Sequence, residues 1–207
     1  MRIITISREF GSGGRELGRR LAEELGVSYY DKEIVTEIAQ KMKVDERYIE
    51  DKLNRGFTMN FPYTFRRSFS YAPPTVKGAG NIYAEQHNVL RQIALKKEDC
   101  VIVGRSADII LADYTPLKLF VYADTASKIE RCIKRAEPQE KLTEREIKKN
   151  MKMIDKARAS YHSLVSESAW GDKKGYHLCI NTTELEIKSI IPHIAAYAGC
   201  WFERMIK

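Results

Sequence analysis

Short, nearly continuous apolar runs alternate with helical patterns along the chain. The runs are too short to be helices, and β-branched residues are frequent in them, which is typical of buried strands in a parallel sheet. Glycine, asparagine or charged residues follow most of them, so each run has a defined end. They predict five strands, at Ile3–Ser7, Val27–Tyr30, Cys100–Gly104, Leu117–Ala123 and Tyr176–Asn181.

The segments between these runs carry apolar residues at helical spacing. Leu17, Leu21 and Leu25 lie on one face of a helix predicted over Glu16–Leu25, and Gly26 is expected to end it. Asn81 and Thr125 are expected to cap their helices, whereas Thr143 with Glu146 and Thr183 with Glu186 have the spacing of a capping box. The other helices are predicted over Lys32–Met42, Asp45–Leu53, Asn81 to about Lys97, Thr125–Arg135, Thr143 to about Ser168, and from Thr183 onward.

Strands that alternate with helices predict an α/β fold. Each connection between parallel strands needs a crossover, so the five-stranded parallel sheet should carry helices on both faces. A length of 207 residues suits one domain, residues 1–207. The stretch 55–80 holds aromatic residues, prolines and glycines without a period, and it predicts an insertion or a mobile flap.

The formal net charge of +7 suits an anionic ligand. The basic residues are scattered among acidic ones, so nucleic acid is not required as a partner. The cysteines lack metal-ligand spacing and stand in apolar surroundings, which favours buried free thiols in a reducing compartment; they are Cys100, Cys132, Cys179 and Cys200. No leader and no membrane-spanning segment is visible, and we expect a cytoplasmic protein.

The first predicted strand runs into a glycine-rich loop and then a helix. This layout lets backbone N–H groups and the positive end of a helix bind a phosphate. The usual pattern G-x-x-x-x-G-K-[ST] fits in part: with Gly13 as its second glycine, Arg8 stands at the first glycine, Gly14 at the lysine and Arg15 at the hydroxyl residue. An ordinary tight turn is the alternative. The dinucleotide-binding pattern fits less well because Glu16 replaces its third glycine.

Charged residues follow four of the predicted strands. Ligands of such sheets bind beyond the carboxyl ends of the strands, so these residues are expected to meet at one rim and to form a polyanion pocket. For any one of these residues alone a solvated loop charge is the better interpretation, and it is their joint placement beside the glycine-rich loop that favours the pocket. They are Arg8, Asp31, Lys32, Arg105, Asp108 and Asp124, with Arg131 and Arg135 on the next helix.

Phosphoryl transfer is the chemistry that an excess of arginines favours. It needs little covalent help and much neutralisation of charge around donor and acceptor phosphates. Asp155 and Arg158, on neighbouring turns of the long helix, could close over such a site together with Lys152. Their alternative is an ordinary surface ladder of i,i+3 pairs.

Four motifs resemble the cytidylate kinase-like family of the P-loop nucleoside monophosphate kinases. They are Ile6-Ser-Arg-Glu-Phe-Gly-Ser-Gly-Gly-Arg-Glu, Tyr29-Tyr-Asp-Lys-Glu, Val101-Ile-Val-Gly-Arg-Ser-Ala-Asp-Ile-Ile-Leu and Asp155-Lys-Ala-Arg-Ala-Ser-Tyr. The resemblance implies a three-layer P-loop kinase fold, an acceptor-binding insertion over 45–97 and a lid over 131–160. It also implies ATP and Mg²⁺ as cofactors and CMP or dCMP as the acceptor.

The resemblance implies roles for Gly11, Ser12, Gly13, Asp31, Arg105, Arg131, Arg135 and Arg158, and position beside them makes their charged or glycine neighbours further candidates. Gly11, Ser12 and Gly13, with Arg8, Gly14 and Arg15 beside them, would bind the donor phosphates. The acceptor would be bound by Asp31 and Arg105, together with Asp108, Asp155 and Arg158. The catalytic arginines would be Arg15, Arg131, Arg135 and Arg158.

The sequence departs from true cytidylate kinases at the phosphate loop, where Gly14 and Arg15 replace the lysine and the hydroxyl residue. We expect Arg15, with Arg8 as second choice, to take the place of the lysine; otherwise Arg15 pairs with a nearby acid such as Glu9 or Glu16. The expected function is an ATP-dependent nucleoside monophosphate kinase. The alternatives are a nucleotide-binding regulator that has lost catalysis and a kinase with a non-nucleotide acceptor.

Overall fold

A five-stranded sheet forms the centre of the computed structural model, which describes residues 1–53, 79–136 and 143–204. Its order is β2-β3-β1-β4-β5, and all neighbouring strands are parallel. The prediction of a five-stranded parallel sheet is confirmed. The strands are β1 (Ile3–Arg8), β2 (Ser28–Tyr30), β3 (Cys100–Val103), β4 (Leu117–Tyr122) and β5 (Leu178–Asn181).

Eight α-helices connect and cover these strands within the described residues. They are α1 (Gly14–Leu25), α2 (Lys32–Met42), α3 (Glu46–Leu53), α4 (Ala79–Leu95), α5 (Ala107–Ile110), α6 (Thr125–Arg135), α7 (Glu144–Val165) and α8 (Ile187–Glu203). Single 3-10 turns lie at Ala112–Tyr114 and Lys173–Gly175. Helices and strands thus alternate as the apolar pattern predicts.

Two hydrophobic clusters, one on each face of the sheet, make the fold three-layered. Successive residues of a strand point to opposite faces, so Ile3 packs with α2 and α4 while Ile4 packs with α1 and α8. Ile38 and Leu90 are fully buried in the first cluster, and Leu17 is fully buried in the second. Burial on both faces explains why the strands read as continuous apolar runs.

The central position of β1 decides which loops meet. Ile6 pairs with Val103 of β3 on one side and with Leu119 of β4 on the other. The N–H of Gly104 donates to the carbonyl of Ile6 at 2.9 Å, so the segments that follow β1 and β3 begin side by side. Residues after these two strands are therefore neighbours in space although they are about 100 positions apart in the sequence.

Some predicted caps are confirmed. Gly26 ends α1 with a left-handed φ of 64°, and Thr143 and Glu146 form the capping box at the start of α7. That helix ends at Val165, before the expected Ser168.

Three other predicted caps are wrong. Helix α4 begins at Ala79, so Asn81 lies inside its first turn; a capping preference is local, and the two residues before Asn81 already have helical backbone. Asp124 caps α6 in place of Thr125, because its carboxylate accepts the N–H of Ser127 at 2.7 Å. Helix α8 begins at Ile187 with Glu186 as its cap, since the hydroxyl of Thr183 is bonded to Asn181 and to the N–H of Asp124.

The cysteines fit their prediction in part. Cys100 and Cys132 are buried, Cys179 is half-buried and Cys200 is exposed; all are free thiols. No helix in the described ranges is both long and apolar enough to span a membrane. Most of the stretch 55–80, and the segment 137–142 between α6 and α7, fall outside the described residues.

Gly18 provides a test of how closely α1 packs on the sheet. A Cβ at this position would lie 2.5 Å from Cγ2 of Val103, whereas a Cβ at Gly199 in α8 would meet nothing within 4 Å. Gly18→Ala should therefore lower the free energy of unfolding by about 1–3 kcal/mol through overpacking. Gly199→Ala should raise it by about 0.5–1 kcal/mol through helix propensity. Urea unfolding measures both values, and stabilisation by both substitutions would contradict the close packing.

Candidate active site

The glycine-rich loop between β1 and α1 has the geometry of an anion site. Gly11 and Gly13 adopt left-handed φ angles of 77° and 84°, which turn the chain sharply into α1. The N–H of Leu17 donates to the carbonyl of Gly13 at 2.9 Å and begins the hydrogen-bond ladder of the helix. The N–H groups of residues 14–16 precede that ladder and lie at the positive end of the helix dipole.

Neighbouring elements hold the loop in this shape. The hydroxyl of Ser12, which is fully buried, donates to the carbonyl of Glu9 at 2.8 Å. The carbonyl of Ser12 accepts the hydroxyl of Thr182 at 2.7 Å, and Lys128 of α6 pairs with Glu9 at 2.7 Å. The Ser12 side chain therefore supports the loop itself, and a phosphate would meet the backbone of this residue.

Two arginines of the loop region pair with one buried carboxylate. Nε of Arg15 lies 2.5 Å from Oδ2 of Asp31, and Nη2 of Arg8 lies 3.7 Å from Oδ1. Asp31 lies between the end of β2 and the start of α2, and its side chain is only 5% exposed. Asp31 is therefore the acid next to Arg15, in place of the expected Glu9 or Glu16.

Charge sets the protonation of this cluster. Burial alone would raise the pKa of Asp31, but Arg15, Arg8 and Arg105 outweigh it and hold that pKa below its usual value. Burial, followed by the charge of Arg158, lowers the pKa of Arg8 to about 9. Burial also lowers the pKa of Arg158. At neutral pH the cluster therefore holds four guanidiniums near Asp31, and one of them, Arg158, also pairs with Asp155. Water screens the charges of Arg8 and Arg158 least because both are buried.

Helix α7 contacts the loop through the predicted Asp155 and Arg158. Oδ1 of Asp155 accepts the N–H of Phe10 at 2.8 Å and Nη1 of Arg158 at 3.1 Å. The same guanidinium nitrogen donates to the carbonyl of Arg8 at 3.0 Å. The surface-ladder alternative is wrong, since both residues bond to the phosphate loop.

Arg105 follows β3 in a strained backbone. Gly104, Arg105 and Ser106 have successive φ angles of 78°, 63° and 48°, a left-handed run that is costly for the two residues that are not glycine. The side-chain amide of Gln86 donates to the carbonyl of Arg105 at 3.1 Å and is also bonded to the hydroxyl of Tyr161. Helix α4 thereby supports the segment that carries Arg105.

Asp108 is placed differently from the other predicted residues. It is 2% exposed, lies beneath the rim, and accepts the hydroxyl of Ser7 at 3.5 Å. Burial raises its pKa, although the charge of His162 acts in the opposite direction. The structure does not bring Asp108 into the arginine cluster.

Arg131 and Arg135 lie on the α6 side of the loop. Arg131 donates to the carbonyls of Thr182 and Leu185, the latter at 3.1 Å. Arg135 pairs with Glu16 in the first turn of α1. Both arginines therefore lie beside the start of α1, Arg131 next to Gly13 and Arg135 over Glu16.

A cavity of about 520 Å³ opens between the start of α1 and the start of α2. It brings together Arg15, Arg135 and Asp31, which come from three separate parts of the sequence. The complete lining is Arg15, Glu16, Arg19, Arg20, Tyr29, Asp31, Lys32, Glu33 and Arg135.

The carboxylates around the loop do not fit a resident Mg²⁺. Asp31 is paired with arginines, Asp155 with Arg158, and Glu9 with Lys128. Gly14 and Arg15 stand where the usual loop has its lysine and its metal-binding hydroxyl. The described ranges also contain no group of three or more His, Cys, Asp or Glu side chains that could hold a metal ion.

Sequence reasoning missed three residues that shape the site, namely Lys128, Thr182 and Gln86. Lys128 and Thr182 bond to the phosphate loop from α6 and from the end of β5. Thr182 directly follows the fifth strand. It could therefore have been found by looking for residues beyond the carboxyl ends of the parallel strands, as Arg8 and Arg105 were. Gln86 has no such signal, because its contacts depend on how α4 packs.

Comparisons with known proteins show which family and fold the chain resembles. The model of the cytidylate kinase-like family matches residues 3–184. An uncharacterized protein from Eubacterium ventriosum is 29% identical with a TM-score of 0.69, over 96% of this chain and 99% of that chain. Comparison with curated proteins gives no match.

Shikimate kinases share the fold at low identity. The enzyme from Bacteroides thetaiotaomicron has a TM-score of 0.55 at 15% identity, over 95% of this chain and 97% of that chain. The enzyme from Acinetobacter baumannii, in complex with shikimate, has a TM-score of 0.50 at 15% identity, over 94% and 90%. These likenesses show a P-loop kinase fold. Together with a family match that spans most of the sequence, they establish that the chain belongs to the cytidylate kinase-like family.

Proposed function

We propose that this protein is an ATP-dependent nucleoside monophosphate kinase with CMP or dCMP as its acceptor. The observation that carries the proposal is the cluster of Arg8, Arg15, Arg105 and Arg158 around Asp31, between the phosphate loop and the end of β3. A kinase must hold two phosphate groups close together against their mutual repulsion. Several fixed guanidiniums in a half-buried site meet that need.

The donor side of the proposed site is the loop. Backbone N–H groups at Gly11, Gly13 and Gly14, with the start of α1, bind the ATP phosphates. Arg131 and Arg135 add positive charge from α6, at the start of the lid region 131–160. Any Mg²⁺ would have to be held mainly by the phosphates of ATP, where it would neutralise their charge, because the carboxylates of the loop are already paired.

The acceptor side lies across Asp31 from the loop. Arg105 binds the acceptor phosphate, and Arg158 bridges the two sides because it also contacts the carbonyl of Arg8. Asp31 and Asp155 keep these guanidiniums in place. The preference for cytosine rests on the family, since part of the acceptor-binding region 45–97 lies outside the described residues.

The reaction is an in-line transfer. An oxygen of the acceptor phosphate attacks the γ-phosphorus of ATP; a new P–O bond forms as the bond to the β,γ-bridging oxygen breaks, and ADP leaves. The described residues contribute positioning and positive charge to this step and form no covalent intermediate.

An acceptor panel tests the proposal. We expect ATP-dependent ADP release, measured with a coupled assay, to have its highest kcat/KM with CMP or dCMP among the nucleoside monophosphates. The panel should also contain shikimate and simple sugars. Turnover with one of these and with no nucleotide would identify a kinase with a non-nucleotide acceptor. Binding of ATP or CMP in a thermal-shift assay without any turnover would identify a nucleotide-binding regulator.

Arg105 provides a test of the acceptor side. Arg105→Lys should reduce kcat/KM for the acceptor roughly 10- to 150-fold, which corresponds to about 1.5–3 kcal/mol for the loss of a bidentate, charge-assisted contact. The KM for ATP should stay close to that of the wild type. Arg204→Lys, an exposed position after α8, is the matched control. Unchanged acceptor kinetics in a folded Arg105→Lys variant would remove Arg105 from the acceptor site.

Asp31 provides a test of the charge balance. Asp31→Asn should lower the free energy of unfolding by about 3 kcal/mol, because it leaves the buried Arg8 and the half-buried Arg15 without their shared carboxylate. Since the folded pKa of Asp31 lies below its unfolded value, this contribution is complete above about pH 4 and is lost as the pH falls through the folded pKa. The difference between variant and wild type should therefore shrink in acid.

The control for Asp31 is Glu23→Gln, which breaks an exposed i,i+4 pair with Arg19. It should cost only about 0.3–0.5 kcal/mol. Urea unfolding at several pH values measures both variants. Equal losses for Asp31→Asn and Glu23→Gln would argue against a charge cluster that depends on Asp31.

A further inference from the structure

Gly14, at the lysine position of the usual loop, has no room for a side chain. A Cβ there would lie 2.5 Å from Cβ of Arg8, 2.9 Å from its Cγ and 3.3 Å from Cβ of Val121. The φ angle of Gly14 is not positive, so space and not backbone conformation requires glycine. The atoms that exclude a lysine at position 14 belong mainly to Arg8.

Arg8 itself stands at the first glycine of the usual pattern. Relative to that pattern, the two positions have exchanged their large and small residues: arginine replaces glycine at 8, and glycine replaces lysine at 14. Both positions face the same space at the end of β1. One long cation therefore fills this space, from the other side of the loop.

The guanidinium of Arg8 lies between the donor and acceptor sides. It reaches so close to Gly104 that a Cβ there would be 1.8 Å from Nη1, and its Nη2 is 3.7 Å from Asp31. Gly104 directly precedes Arg105. Because β1 and β3 are neighbours in the sheet, this is the seam between the phosphate loop and the proposed acceptor arginine.

Arg15 occupies a different place. Its Nε contacts Asp31 at 2.5 Å, its side chain is 38% exposed, and it lines the cavity beside α2. The side chain of Arg8 is only 15% exposed. A lysine at position 14 would start from the space beside Gly14, and the side chain of Arg8 fills that space.

We propose that Arg8 replaces the phosphate-loop lysine and contacts the phosphoryl group in transfer, while Arg15 holds Asp31. This inference rests on the proposed kinase function. It assigns the role to the residue that the sequence alone ranks second. It also explains why glycine is needed at both 14 and 104, since both positions leave space for the side chain of Arg8.

Exchange of the residues at positions 8 and 14 tests the inference. Arg8→Met keeps the stem that packs on Gly14 and removes the charge, and should lower kcat roughly 10²–10³-fold, as for the loss of an electrostatic contact to the reacting group. Arg8→Gly should lose as much. The double variant Arg8→Gly/Gly14→Lys restores the usual pattern and should regain at least about tenfold over Arg8→Gly, which is a non-additive effect. Gly14→Lys alone should lower the Tm because Arg8 still fills the space.

Arg2→Met is the matched control at the other end of β1, where Arg2 pairs with Asp99; its kcat should equal that of the wild type. Wild-type kcat in a folded Arg8→Met variant would overturn the inference. A folded double variant no more active than Arg8→Gly would also overturn it. If the double variant does not fold, Arg8→Met decides.

Calorimetry with inorganic pyrophosphate separates this inference from the proposed function. If the wild type turns over no acceptor, the kinase proposal fails, while the phosphate contact of Arg8 can still be measured. We expect Arg8→Met to weaken pyrophosphate binding at least about tenfold and Arg15→Ala to weaken it less. The side chain of Arg8 is the more buried of the two, so its contact with an anion is less screened by water. The opposite order would assign the phosphate contact to Arg15.

Discussion

The repulsion among clustered guanidiniums, only partly offset by the carboxylate of Asp31, is the constraint on which the site depends. Arg8 and Arg158 are desolvated, so water screens their charges poorly. Asp31 supplies one negative charge at the place where the cations meet. The balance is incomplete, and an anion that entered the cluster would reduce the remaining repulsion. Bringing these arginines together raises the free energy of the folded protein, and a bound phosphate would lower it again.

The phosphate loop depends on the same cluster for its position. Arg158 bonds to the carbonyl of Arg8, and Asp155 bonds to the N–H of Phe10, so α7 holds the loop at its first residues. Thr182 and Lys128 hold it through further bonds, to the carbonyl of Ser12 and to the side chain of Glu9. A change in any of these contacts would move backbone N–H groups that must converge on one phosphate. Residues without direct contact to a ligand can therefore affect donor binding strongly.

The sequence was sufficient for the sheet and for most of the helices, because both depend on apolar periodicity. Helix starts were harder to predict, since Asn81, Thr125 and Thr183 are good caps by residue type but the bonds of neighbouring residues decided otherwise. Within the site, Arg8, Asp31 and Arg105 could be placed at one rim because each directly follows a parallel strand. The pairing of Arg15 with Asp31 could not be predicted, because it depends on how α1 packs against β2.

The exchange between positions 8 and 14 shows why matching a motif residue by residue misleads here. A loop is defined by the space around the phosphate and by the charge that enters this space, and either side of the loop can supply both. Arginine at 8 requires glycine at 14, and glycine at 104 leaves space for its guanidinium. The left-handed run at 104–106 costs about 1–3 kcal/mol for each residue that is not glycine. Gln86 fixes that run from behind, so Arg105 stays next to Arg8. The absence of the lysine at position 14 thus goes together with the residues at 8 and 104, so the difference from the usual pattern extends from the phosphate loop to the end of β3.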